Sequence, residues 1–174
     1  MTRQEITEFY GKHHRRLYNI AWRILRDPDE AEEVMQDTIL KFVSDGRGFA
    51  SDAQVSAWLA RTCIHAAIDR LRSRKREEAF LEEYGRSLGR PGEGVDIPDE
   101  ADIDPGEDPD LLPRIRTAMD ALPEPYRLVL NLVLIEGLDY REIAALTGRK
   151  ETTLRSLYSR GHGKLTDLLK NRYE

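Results

Sequence analysis

Apolar residues recur at helical spacing in the N-terminal part of the chain. The first run covers residues 17–24, Asp27-Pro28 interrupts it, and a second run covers 31–43. A glycine-containing loop at 45–53 precedes a third run from about 54 to 78. Spacings of three and four residues are typical of amphipathic helices, and no convincing alternation of a strand occurs. The pattern therefore predicts three helices.

The C-terminal part shows a second helical pattern with clear stop signals. An apolar helix is predicted from about 125 to 136, and Asp139 followed by Glu142 resembles a capping box at the start of the next helix. That short helix stops near Gly148, and a further helix begins near Glu151. Two helices joined by a glycine-containing turn indicate a helix-turn-helix.

The acidic residues are concentrated between these two parts. The formal net charge is -5, but residues 77–110 hold thirteen acidic residues against two arginines, so the remainder carries a charge of +6. Proline, glycine and acidic residues together are typical of a flexible linker. We therefore predict an all-α protein of two small helical domains, 1–80 and 111–174, joined by a flexible acidic linker at 81–110.

Other features of the sequence exclude several classes of protein. No apolar stretch is long enough to span a bilayer, and the N-terminus lacks the apolar region of a signal peptide. Cys63 is the single cysteine, and the four histidines show no metal-ligand spacing. No Walker, GxSxG or HExxH motif occurs. We expect a cytoplasmic, non-catalytic protein with no membrane insertion, metal or cofactor.

Polar residues on two predicted helices of the first domain form candidate binding surfaces. Glu33, Gln36 and Asp37 lie opposite the apolar face of the second helix, in a stripe that also contains Leu40. Five of the seven residues from 70 to 76, at the end of the third helix, are basic, which exceeds what the helix dipole requires and favours a phosphate-binding surface. Solvated helix faces remain the simpler interpretation of each.

Both parts of the chain resemble the extracytoplasmic-function group of RNA polymerase sigma factors, in the same order. The first part is similar to sigma domain two at Leu17-Tyr18, Ala21, Leu25, the acidic run 29–33, Gln36-Asp37, Ala57-Trp58-Leu59, Asp69 and Arg72. The second part is similar to sigma domain four at Leu122-Pro123-Glu124, Arg127, Glu136-Gly137-Leu138, Tyr140, Glu142-Ile143-Ala144 and the TLRSLYSR helix. A helix-turn-helix alone is common in DNA-binding proteins. The resemblance therefore depends on the presence of both domains in one chain.

The resemblance implies roles for residues of the first domain. Glu33, Gln36 and Asp37 match the stripe that docks on the largest subunit of core RNA polymerase. The residues matched to recognition and melting of the minus-10 element are Arg47, Phe49, Arg61, His65, Asp69, Arg72, Arg74, Lys75 and Arg76. His65 stands where the family commonly has Asn, and pairing with Asp69 is its simpler role. The loop at 45–53 matches the part that captures an extruded base, although it is also an ordinary connection between helices.

The last predicted helix is matched to reading of the minus-35 element. The residues are Arg149, Lys150, Thr153, Arg155, Ser156, Ser159 and Arg160. Their helical spacing also predicts that Arg155, Ser156, Ser159 and Arg160 point outward, because the inner face is formed by Leu154, Leu157, Tyr158, Gly161, Leu165 and Leu168. Arginine can donate twice to guanine in the major groove, and basic residues in the turn contact phosphates. Leu157, Gly161 and Gly163 depart from the family pattern. Since an interior glycine costs about 1 kcal/mol relative to alanine, we expect bending or fraying beyond Arg160 and weaker binding.

The resemblance implies a sigma factor that binds core RNA polymerase and directs promoter-specific initiation. Its partners would be core polymerase, promoter DNA and an inhibitory anti-sigma factor. Two alternatives remain open. One is a sigma-like decoy that binds an anti-sigma factor without supporting transcription, and the other is a helix-turn-helix regulator that binds operators alone.

Overall fold

The computed structural model describes residues 1–83 and 109–170. Its helices are α1 (Arg3–Leu25), α2 (Pro28–Asp45), α3 (Asp52–Glu83), α4 (Leu111–Asp120), α5 (Glu124–Leu130), a π-helical turn (Asn131–Ile135), α6 (Tyr140–Thr147) and α7 (Glu151–Lys170). No residue in the two described ranges forms a β-strand, so the prediction of an all-α fold is confirmed. Helices α1–α3 belong to one compact unit and α4–α7 to a second.

The boundary between α1 and α2 follows from local signals in the sequence. Arg26 adopts the left-handed conformation with φ of 56°, which ends α1. Asp27 then caps α2 by accepting a hydrogen bond from the Glu30 N–H at 2.9 Å, and Pro28 occupies the first helical position. Gly46, with φ of 63°, ends α2. The predicted break at Asp27-Pro28 is confirmed.

Helix α3 is longer than predicted at both ends. It begins at Asp52 rather than near Gln54, because the Ser51 hydroxyl accepts a hydrogen bond from the Gln54 N–H at 3.3 Å and so caps the helix earlier. It continues to Glu83, beyond the predicted end near Glu78 and into the range assigned to the linker. The rest of the predicted flexible linker, 84–108, lies outside the described residues.

The core of the first unit is built from the apolar faces of α1, α2 and α3. These side chains are at most 4 % exposed: Leu17, Ile20, Leu25, Val34, Ile39, Leu59, Cys63 and Ile68. Two buried polar groups within the core are satisfied by backbone carbonyls. The Cys63 thiol donates to the Leu17 carbonyl at 3.3 Å, and the Thr38 hydroxyl donates to the Val34 carbonyl at 2.7 Å.

The second unit contains the predicted helix-turn-helix. The Asp139 carboxylate accepts a hydrogen bond from the Glu142 N–H at 2.8 Å and caps α6, which ends at Gly148 with φ of 70°. The last turn of the preceding apolar helix is π-helical, a feature absent from the prediction, since Glu136 N–H donates to the Asn131 carbonyl. One core cluster of this unit contains Ala118, Met119, Leu122, Leu130 and Leu165.

Helix α7 is continuous to Lys170, so the expectation that it frays beyond Arg160 was wrong. The reason is packing at Gly161, which is buried against α5. A Cβ atom at this position would lie 3.0 Å from the Tyr126 Cβ atom. Glycine therefore permits a close approach between α7 and α5, and that contact compensates for its low helix propensity. Gly163, by contrast, faces open space.

Candidate polymerase and nucleic-acid interface

The predicted docking stripe lies exposed along α2. Glu33, Gln36 and Asp37 are all solvent-accessible, and the Gln36 side-chain amide donates to the Glu32 carboxylate at 3.1 Å. Leu40 continues the same stripe and is 62 % exposed. The pattern of the sequence had placed Leu40 here without assigning it a role. An exposed leucine beside amide and carboxylate groups makes the stripe suited to binding another protein.

Ion pairs join the acidic side of α2 to the basic part of α3. The Arg70 guanidinium contacts the Glu33 carboxylate at 2.5 Å. The Arg74 guanidinium pairs with Glu30 and also donates to the Leu25 carbonyl at 3.0 Å. Arg74, predicted to contact DNA, is therefore half-buried in contacts within its own unit. Sequence reasoning could not find these pairs, because their members lie 37 and 44 positions apart.

A pocket between α2 and α3 brings together residues from two predicted sites. Its lining includes Asp37 and Lys41 from α2, and Trp58, Arg61, His65 and Asp69 from α3. His65 and Asp69 are exposed and line the pocket, and no hydrogen bond within the described residues joins them. A candidate docking residue and three candidate DNA-contacting residues thus share one concave surface with an aromatic wall and groups of both charges.

The loop between α2 and α3 is held by local contacts and by an aromatic cluster. Arg47 is exposed and pairs with Asp45 at 2.8 Å, and the Ala50 N–H donates to the Gln54 side chain at 3.0 Å. Phe49 is half-buried, with its ring centroid 5.5 Å from that of Phe42 and 6.1 Å from that of Trp58. Phe49 therefore anchors the loop to the helices. The resemblance matched both Phe49 and Arg47 to contacts with DNA. In the structure Phe49 packs inward, whereas Arg47 is exposed.

Helix α1 reinforces the aromatic cluster from the other side. The Phe9 ring stacks on Phe42 at 4.5 Å between centroids, and the His13 ring lies 4.6 Å from Phe9. Burial lowers the pKa of His13, and the nearby charges of Lys12 and Arg16 act in the same direction. Lys12 also bonds Asp52 at 2.8 Å, and this hydrogen bond lowers the pKa of the Asp52 carboxyl. The start of α3 is thereby tied to α1.

The basic end of α3 presents the remaining candidate DNA contacts. Arg72, Lys75 and Arg76 are exposed to solvent, whereas Arg70 and Arg74 are half-buried. The five basic residues therefore divide into two groups according to their surroundings. The exposed group is the better suited to neutralising phosphates.

The candidate reading face of α7 is largely open to solvent. Its exposed side chains are Thr153, Arg155, Ser156, Ser159 and Arg160, and Lys150 is exposed in the preceding turn. Arg149 is half-buried, with its backbone N–H bonded to the Thr147 hydroxyl at 3.3 Å. The opposite face is packed inward, since Leu154 is fully buried and Leu157 is half-buried. This orientation agrees with the face predicted from the spacing.

Within the described ranges, no helix has the length and apolar character needed to cross a bilayer. Those same ranges contain no group of three or more potential metal ligands placed to hold an ion.

Comparisons with known proteins match both helical units. The sequence models of Sigma-70 region 2 and Sigma-70 region 4 match residues 9–77 and 112–165. The chain is 32 % identical to the ECF RNA polymerase sigma factor SigE of Mycolicibacterium smegmatis over 93 % of its own length and 60 % of that relative. It is 27 % identical to SigM of Mycobacterium tuberculosis over 96 % of this chain and 78 % of the relative.

The fold is also similar to that of a solved structure. The sigma factor RpoE of Bartonella quintana, crystallised in complex with the anti-sigma factor NepR, matches with a TM-score of 0.54 and 22 % identity. The match covers 96 % of this chain and 98 % of that one. Both sigma-70 region models match this chain, and the relatives are extracytoplasmic-function sigma factors. The chain therefore belongs to the sigma-70 family of RNA polymerase sigma factors, in its extracytoplasmic-function group.

Proposed function

We propose that this sigma factor binds core RNA polymerase through the stripe Glu33, Gln36, Asp37 and Leu40 of α2, and contacts promoter DNA with both units. The observation that carries the proposal is the pocket in which Asp37 lies beside Arg61, His65 and Asp69. Docking on polymerase at Asp37 would bring the minus-10 element to the adjoining wall of that pocket.

The contacts within the first unit suggest different roles for its residues. Arg61 and His65 offer donors to an unstacked base, Trp58 offers a stacking surface, and the exposed Arg72, Lys75 and Arg76 offer charge to phosphates. Arg70, Arg74 and Phe49 hold the surface in place. Stacking and polar contacts of this kind can offset the cost of opening a base pair, which is a few kcal/mol.

The second unit supplies the contacts to the minus-35 element. Arg155, Ser156, Ser159 and Arg160 lie exposed on one face of α7, which enters the major groove in helix-turn-helix proteins. Lys150 lies where it can contact phosphates. The protein contributes binding rather than catalysis and acts in the cytoplasm. An anti-sigma factor, the kind of partner named with the Bartonella relative, is expected to compete for its surfaces.

The docking assignment is tested by reversing one charge. Asp37→Lys should lower the affinity for purified core polymerase at least about tenfold, equivalent to about 1.4 kcal/mol. Its thermal stability should change little, because Asp37 is exposed. Asp167→Lys, the same charge change on an exposed residue of α7, is the matched control and should bind core polymerase like the wild type.

Initiation assays on promoter DNA decide between this function and its rivals. Wild-type protein with core polymerase should give promoter-specific transcripts. Binding to core without transcripts would favour the decoy, and operator binding without core would favour the independent regulator. If the Asp37→Lys and Asp167→Lys variants bound core polymerase with equal affinity, the assignment of the α2 stripe as the docking surface would be contradicted.

A further inference from the structure

An aromatic ring from α6 lies beneath one of the exposed arginines of α7. The guanidinium carbon of Arg155 lies over the Tyr140 ring, 5.5 Å from its centroid. Tyr140 is half-buried at the start of α6, whereas the Arg155 side chain is 62 % exposed. The ring thus gives an otherwise solvent-exposed cation a partner on the neighbouring helix.

The Tyr140 ring is itself fixed from two directions. Its backbone follows Asp139, whose carboxylate caps α6 through the Glu142 N–H at 2.8 Å. Its ring meets that of Tyr158 edge to face, with centroids 6.2 Å apart and an interplanar angle of 77°. Tyr158 packs against the core of the second unit. The ring is therefore a rigid platform.

The chemistry of this contact leaves the reading groups of Arg155 available. An aromatic face attracts a cation through its quadrupole, and the contact does not consume N–H donors. A guanidinium carries five such donors in a planar fork, which can bond guanine O6 and N7 together. The Glu151 carboxylate, one turn earlier on α7, lies 3.7 Å from the Arg155 guanidinium and restricts its position from a second side.

We propose that Tyr140 is a positioning residue for Arg155 and that it sets how strongly Arg155 discriminates among bases of the upstream promoter element. The inference rests on the proposed function, because it requires α7 to enter the major groove. A free arginine loses rotamer entropy when it orders on a base, and a side chain already held over a ring loses less. Tyr140 thereby acts on base preference without touching the DNA bases.

The test compares variants of the full chain, each with core polymerase, on a promoter pool randomised across the minus-35 element. The variants are Tyr140→Leu, Tyr140→Phe, Arg155→Ala and the double variant Tyr140→Leu/Arg155→Ala. Arg155→Ala should abolish the preference at one base position. Tyr140→Leu should reduce the preference at that same position about two- to fivefold, as expected for an exposed cation–π contact.

The remaining variants separate positioning from general damage. Tyr140→Phe keeps the aromatic ring and should retain the base preference. In a protein that already carries Arg155→Ala, Tyr140→Leu should cause no further change in base preference. The inference is overturned if Tyr140→Leu weakens all promoters equally, if Tyr140→Phe fails as severely, or if Arg155→Ala alters no base preference. Circular dichroism identifies a variant that fails to fold. A wild type that initiates nowhere would instead overturn the proposed function, and this inference with it.

Discussion

The two units support their exposed surfaces in different ways. In the first, contacts between helices lie within the candidate surface itself: Arg70 pairs with Glu33, Arg74 pairs with Glu30, and Phe49 packs against Phe42 and Trp58. In the second, one face of α7 is left open and the contacts that hold the helix lie mainly behind it. Substitutions of these paired and packed residues of the first unit should therefore change stability and binding together, whereas those on the open face of α7 should change binding alone.

The largest expected effect comes from filling the space behind α7. Gly161→Leu should destabilise the second unit by about 1–3 kcal/mol, because the side chain would overlap Tyr126. Gly163→Leu is the matched control, since nothing lies within 4 Å of its Cβ position. Thermal unfolding followed by circular dichroism should show opposite shifts, with Gly163→Leu gaining up to about 1 kcal/mol from helix propensity. Similar shifts for both would show that the close contact is unimportant.

A smaller effect should distinguish two arginines of α3 that lie two positions apart. Arg74→Ala should destabilise the first unit by about 1 kcal/mol, since it removes a half-buried ion pair and a bond to the Leu25 carbonyl. Arg76→Ala should leave stability unchanged and reduce the salt dependence of DNA binding by about one counterion. The measurements are chemical unfolding and promoter binding by the polymerase complex at several salt concentrations. If Arg74→Ala reduced the salt dependence of DNA binding and left stability unchanged, Arg74 would be assigned to phosphate contact rather than to stabilising the unit.

The smallest expected effect concerns pH in the first unit. Because burial lowers the pKa of His13 below its ordinary value of 6.5, the unfolded chain binds a proton that the folded chain does not. The free energy of unfolding should therefore fall as the pH drops below about 6.5. His13→Phe, which keeps a ring beside Phe9, should flatten this part of the profile. Identical profiles for both proteins would assign the pH dependence to other groups.

Local signals in the sequence predicted most of the helices. Asp27-Pro28, the Asp139 cap and Gly148 each act on their own backbone, so the helix ends that they set could be inferred. The exposed face of α7 was predicted by spacing alone. The early start of α3 depended on the cap at Ser51, a signal that was present in the sequence and overlooked.

Contacts between distant segments could not be predicted in the same way. The resemblance grouped Arg74 with Arg76 and Phe49 with Arg47, because closeness along the chain does not show which residue packs against a distant helix. Gly161 was interpreted as a defect since its partner, Tyr126, lies on another helix. The π-helical turn at Asn131–Ile135 gave no recognisable signal either.

The close contact at Gly161 has a consequence for the construction of chimeric sigma factors. A recognition helix transplanted from a relative with alanine at this position would bring a methyl group toward Tyr126, and the graft would shift away from its support. The helix that we propose to read the minus-35 element is therefore fitted to its own α5. Residues 126 and 161 would have to be exchanged as a matched pair, so a graft should carry α5, α6 with its Tyr140, and α7 together.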